Sequence, residues 1–159
     1  MEIYTHVGLL CTCFAGLEIT ILQLTAKLIN RNNPSLAEPT LSKLSFRQTV
    51  SAFRNNTVKV FHDSQMLKQW LSFANRIDDV ATRRNDIVHS AWTAYGETDY
   101  GQHRPRSKGE RSLGTQAHAN DPIDQISKLM DEICMLLMES SDLDDHLMEI
   151  GEQTDETDQ

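Results

Sequence analysis

A chain of 159 residues with 7 glycines, 4 prolines and a 39% apolar share is long enough to bury one substantial core without disulfide or metal staples. Its formal charge of −8 excludes a uniformly basic nucleic-acid binder, yet nine of the acids lie between Glu139 and Asp158, and the remainder is balanced at 15 basic against 14 acidic residues. Abundant Leu, Ile and Val with scarce glycine, proline and aromatics point to an all-α protein.

Cys11, Cys13 and Cys134 are an odd set, and Cys11 and Cys13 point to nearly opposite sides of a helix, so neither a disulfide framework nor a metal site follows. Glu2 opens the chain with no basic segment, and Thr12, Gly16 and Glu18 interrupt the apolar run. Neither a signal peptide nor a membrane span is expected, and the setting reads as reducing and cytoplasmic.

In chain order, Ile3, Val7, Leu10, Phe14, Leu17, Ile21, Leu24 and Leu28 recur at alternating spacings of four and three. They predict a long first helix that ends between Asn30 and Pro34. Leu9, Ile19, Leu22 and Ile29 widen its seam, which suits a bundle core or a core plus a dimer contact. A polar connector, 34–40, leads to a second helix capped by Thr40 or Ser42, with Leu44 to Phe61 as its stripe and a break near Asn55 and Asn56.

Asp63 or Ser64 opens a third helix through Leu67, Trp70, Ile77 and Val80. Its pattern continues past Ile87 and Trp92 to Tyr95, with Gly96 as the stop and an optional kink or restart near 82–85. Residues 96–120 lack periodicity and read as a long loop. Asp121 and Pro122 start a final helix running to Ile150, with a possible break at Ser140 and Ser141. Residues 151–159 read as an acidic, disordered tail. The expected architecture is an antiparallel bundle of four to five helices over 1–150, with the long loop before the last helix.

Chemistry concentrates at Arg84-Asn85-Asp86-Ile87-Val88-His89. On a helix, Asn85 and His89 share a face, whereas Arg84 and His89 lie about 140° apart and roughly 7.5 Å along the axis. Histidine transfers protons near neutral pH, and arginine stays cationic with a fork that matches phosphate oxygens. No His-Glu-x-x-His or Cys-x-x-Cys pattern supplies a dedicated metal cluster, and no cofactor is implied. The plain structural alternative makes Arg84 a solvated helix residue and His89 a capping or partly buried histidine.

Arg84-Asn85-x-x-x-His89, set late in a small helical bundle, resembles the signature of the HEPN superfamily. The resemblance implies metal-independent cleavage of RNA at a composite site where two copies meet in a homodimer. Arg84 and His89 are then the catalytic pair and Asn85 their supporting polar residue. It also implies a toxin or phage-defence effector, with an inhibitory antitoxin or defence-system protein as partner. Two alternatives stay open: a catalytically silent module of the same kind that binds RNA or a nucleotide, and a helical protein-interaction domain.

Around this motif, Arg83 and the basic run Arg104, Arg106, Lys108 and Arg111 are candidates for steering the phosphate backbone, and the run is equally well explained as a solvated loop. Glu18 either pairs with Arg84 or lies on an exposed flank. Asp86 is a candidate contact for Arg83 or for the partner subunit. Trp92 reads as core in preference to a base-stacking platform.

Overall fold

The computed structural model describes residues 2–62, 64–94, 100–104, 114–115 and 122–155. Among the described residues the fold is a predominantly helical bundle with five helices: α1 (Glu2–Ile29), α2 (Glu38–Leu41), α3 (Phe46–Val60), α4 (Ser64–Val88) and α5 (Pro122–Asp155). A 3-10 turn, Pro34–Leu36, precedes α2. Between α4 and α5 lies a small antiparallel sheet of β1 (Ala91–Ala94), β2 (Tyr100–Arg104) and β3 (Gly114–Thr115), in that order.

The chain groups into two compact units, each described by itself: 1–14 with 80–133, and 15–79 with 134–159. In the second unit the buried residues Leu17, Ile21 and Leu24 of α1 follow the four-and-three spacing read in the sequence. Phe53 stacks on Trp70 with ring centroids 5.5 Å apart, and Phe61 packs on the same indole at 4.9 Å. These aromatic pairs close the α3–α4 hairpin. Buried Thr25 and Thr57 return their hydroxyls to the carbonyls of Ile21 (2.6 Å) and Phe53 (2.8 Å), so neither leaves a polar group unmet. Lys27 of α1 reaches Asp144 of α5 at 2.5 Å, and Arg54 of α3 reaches Asp78 of α4 at 2.6 Å.

In the first unit the core includes Ile3, Leu10 and Phe14 of α1, Val80 and Ile87 of α4, and Ile126, Leu129 and Ile133 of α5. Among the described residues, α1 is the one helix long and apolar enough to cross a membrane. It also supplies buried residues to both units, as the core helix of a bundle does.

Several boundaries differ from expectation. Ser45 caps α3, in place of Thr40 or Ser42, because Ser45 and Gln48 form a reciprocal capping box that satisfies two end donors at once. Asn56 bonds the Ala52 carbonyl at 2.8 Å, and α3 runs through it without a break. Buried Ser140 likewise bonds Leu137 O at 2.6 Å within an unbroken α5. That helix continues to Asp155, five residues into the expected disordered tail; 156–159 lie outside the described residues.

The largest difference is at α4, which ends at Val88 and not near Tyr95. Three donors meet its last carbonyls: the Ser90 hydroxyl bonds Asp86 O, Ser90 N bonds Ile87 O at 3.3 Å, and Trp92 Nε1 bonds Ile87 O at 3.1 Å. Groups that a longer helix would have satisfied internally are met by Ser90 and Trp92, and the chain leaves as a strand. Part of the expected 96–120 loop is accordingly β2 and β3.

In urea denaturation, Trp70→Ala is expected to cost about 3–5 kcal/mol because it empties the aromatic cluster. Ser45→Ala should cost about 1 kcal/mol through the lost cap. Met138→Ala, at an exposed position, should stay within about 0.5 kcal/mol of the parent.

Candidate functional site

The last turns of α4 point consecutive side chains in three directions. Arg83 turns to α5, where Nη1 donates to Glu132 Oε1 at 2.9 Å and Nη2 bonds Oε2, a two-pronged ion pair. This hydrogen bond, together with the charge of Arg83, holds the Glu132 carboxyl below its ordinary value of 4.5 against a smaller opposing effect of burial. Arg84 turns to α1: its guanidinium carbon sits 5.0 Å from the centroid of the buried Phe14 ring, and Nη2 lies 3.9 Å from Cys11 Sγ. Asn85 and His89 are exposed.

Asn85 ties the motif together. Its side-chain oxygen accepts from Arg84 Nη1 at 3.0 Å, and its backbone carbonyl accepts from His89 N at 3.0 Å, the last helical bond of α4. The guanidinium is therefore pinned by a ring face and an amide, and the imidazole stands one turn further on in solvent. Arg84 Nε is buried with no hydrogen-bond partner among the described residues, an unmet donor of the kind that a native fold rarely leaves without reason.

The sequence-derived candidates are thus partly brought together and partly separated. Arg84 and Asn85 are bonded side chain to side chain, and His89 follows at the end of the helix with an exposed side chain. Arg83, expected near substrate, is instead engaged by Glu132 on another face of the helix, because adjacent helical residues diverge by about 100°. Asp86 lies on that α5 side, where with Arg83, Ile87, Gln125 and Leu129 it lines an open hollow of about 310 Å³. Glu18 belongs to the other unit and lines a shallow hollow with Leu22, Leu41 and Phe46. Arg104 ends β2, and Arg106, Lys108 and Arg111 lie outside the described residues.

Trp92 is half-buried, and its indole serves the helix end; its carbonyl accepts from Tyr4 Oη at 3.1 Å. Phe14 and Cys11 were not legible as partners of Arg84. Phe14 shows in sequence only as one member of the apolar seam, and nothing there gives the register of α1 against α4. Among the described residues no group of three or more His, Cys, Asp or Glu is placed to hold a metal ion. No family model matches the chain, and neither a curated protein nor a solved structure shows significant similarity to it.

The depressed Glu132 carboxyl has a pH signature. Its contribution to stability is complete above 4.5 and is lost as the pH falls through the lowered folded value. Glu132→Gln should therefore flatten the acid limb of a plot of melting temperature against pH below 4.5, while the parent loses stability there; parallel acid limbs in the two proteins would contradict the assignment.

Proposed function

We propose that the protein is a metal-independent endoribonuclease of HEPN type whose Arg84 clamps the scissile phosphate and whose His89 transfers a proton. The observation that carries this reading is the Asn85 link, which bonds the Arg84 guanidinium through its side-chain oxygen and the exposed residue His89 through its backbone carbonyl at the end of α4. In the reaction the ribose 2′-oxygen attacks phosphorus, the bond to the 5′-oxygen breaks, and a 2′,3′-cyclic phosphate and a 5′-hydroxyl result. The 2′-hydroxyl proton must leave and the 5′-oxygen must gain one, while negative charge gathers on the phosphate oxygens. Arginine answers the last need and histidine one of the first two.

RNA is thus the substrate, and the resemblance supplies the rest of the context: a cytoplasmic effector of toxin or phage-defence type, restrained by a partner protein and acting as a homodimer. Exposed apolar side chains on α1 in the unit that carries the motif, Tyr4 at 61% and Leu9 at 51%, favour a protein contact there.

Purified protein should cleave RNA in the presence of a chelator and leave 2′,3′-cyclic phosphate ends. Arg84→Ala and His89→Ala should each lower kcat by at least about 100-fold with helicity unchanged by circular dichroism. Full activity in both variants would remove the assignment.

A further inference from the structure

Within the second unit, the outward face of α5 combines methionine with acid. Leu136, Leu143 and Leu147 are buried, whereas Met135, Met138 and Met148 are exposed at 66%, 73% and 55%. At about 100° per residue, Met138, Asp145 and Met148 fall within about 80° of one another, on the side of the helix opposite those leucines. Met135 and Asp142 flank them within about 60° of Met138. The face runs about 15 Å along the helix from Met138 to Met148.

The charges on this stretch sort by direction. Glu139 binds Arg76 of α4 and Asp144 binds Lys27 of α1, so the two acids that turn toward neighbouring helices are neutralised there. Asp142 and Asp145 are exposed and meet no cation among the described residues, and the sequence holds no Lys or Arg after Lys128.

Single apolar side chains on a surface need no explanation, but three along one helix face form a patch. Methionine suits an adaptable contact, because its unbranched thioether chain reshapes around an apolar partner. The two free carboxylates decide among occupants. A second copy docked face to face would set these acids against their own counterparts, and RNA or a phospholipid surface would bring phosphates to them; each costs like-charge repulsion. A protein helix whose apolar stripe is bordered by Lys or Arg answers both features at once, and its i, i+3, i+4 ridge fits along another helix.

We propose that the face of α5 carrying Met135, Met138 and Met148 is a docking surface for a basic amphipathic helix of a partner protein. The methionines form its apolar floor, and Asp142 and Asp145 pair with the partner's cations. The surface lies in the unit that does not carry Arg84 and His89, and the proposal is independent of the endoribonuclease reading.

The test titrates the full-length protein, isotope-labelled at its methionine methyls, with a synthetic Leu/Lys peptide patterned as an amphipathic helix and with a Leu/Glu peptide of the same pattern. The Leu/Lys peptide should shift the methyl signals of Met135, Met138 and Met148 together, with one saturation point, and its affinity should fall as salt rises. Replacing Met135→Gln and Met138→Gln together should weaken it at least about tenfold with helicity unchanged by circular dichroism. Asp142→Asn with Asp145→Asn should remove most of the salt dependence. Val58→Thr, which alters an exposed apolar side chain of α3, should bind as the parent does.

Equal affinity for the Leu/Glu peptide, binding that leaves the three methyl signals unmoved, or parental affinity in the methionine double variant would overturn the proposal. So would the same methyl shifts on raising the protein concentration alone, or on adding RNA or phosphatidylglycerol vesicles without peptide, because a second copy, a nucleic acid or a membrane would then be the occupant.

Discussion

The termination of α4 at Val88 is the constraint on which the candidate site depends. A helix end leaves carbonyls without partners, and here Ser90 and Trp92 meet those of Asp86 and Ile87. With those groups satisfied, the chain turns at His89 and Ser90 and enters β1. The same event places His89 at the mouth of a turn, exposes its imidazole and starts the sheet that returns β2 alongside. Removing the indole donor would leave the Ile87 carbonyl with the Ser90 N bond alone, at 3.3 Å, and weaken the stop that sends the chain into β1.

Around that end, two neighbouring helices and solvent divide the side chains of α4 by helical angle. The α5 face takes Arg83 into an ion pair with Glu132, the α1 face takes Arg84 over Phe14, and the third face leaves Asn85 and His89 in solvent. Two adjacent arginines thereby acquire different characters. Arg83 is bound by a carboxylate on both prongs. Arg84 meets an aromatic face, an amide oxygen and a thiol, none of which carries the full negative charge that would compete with a phosphate.

Much of the helical architecture was legible because burial follows periodicity: Leu10, Phe14, Leu17, Ile21 and Leu24 alternate in the sequence as they do in the core. Pro122 marked the start of α5, and the asparagine-rich stretch after Ile29 marked the end of α1. What failed had tertiary causes. The apolar pattern through Ile87, Val88, Ala91 and Trp92 fits a helix and a strand about equally over so short a span, and the indole bond that decides between them joins positions five apart across a turn. Arg84, Asn85 and His89 were visible by spacing alone, whereas Phe14 and Cys11 depend on how α1 registers against α4. The pairing of β2 with β1 was invisible because strand pairing is non-local, and 100–104 has the composition of a loop.

The central claim is that phosphate binds the Arg84 side of the α4 terminus. Its most direct test is heteronuclear NMR of the labelled protein titrated with a 2′-O-methyl RNA oligonucleotide, which binds but lacks the nucleophile. The guanidinium resonances of Arg84 and the imidazole resonances of His89 are expected to shift together and saturate at one concentration. Shifts confined to the hollow around Arg83 and Glu132, with those two residues unmoved, would contradict it.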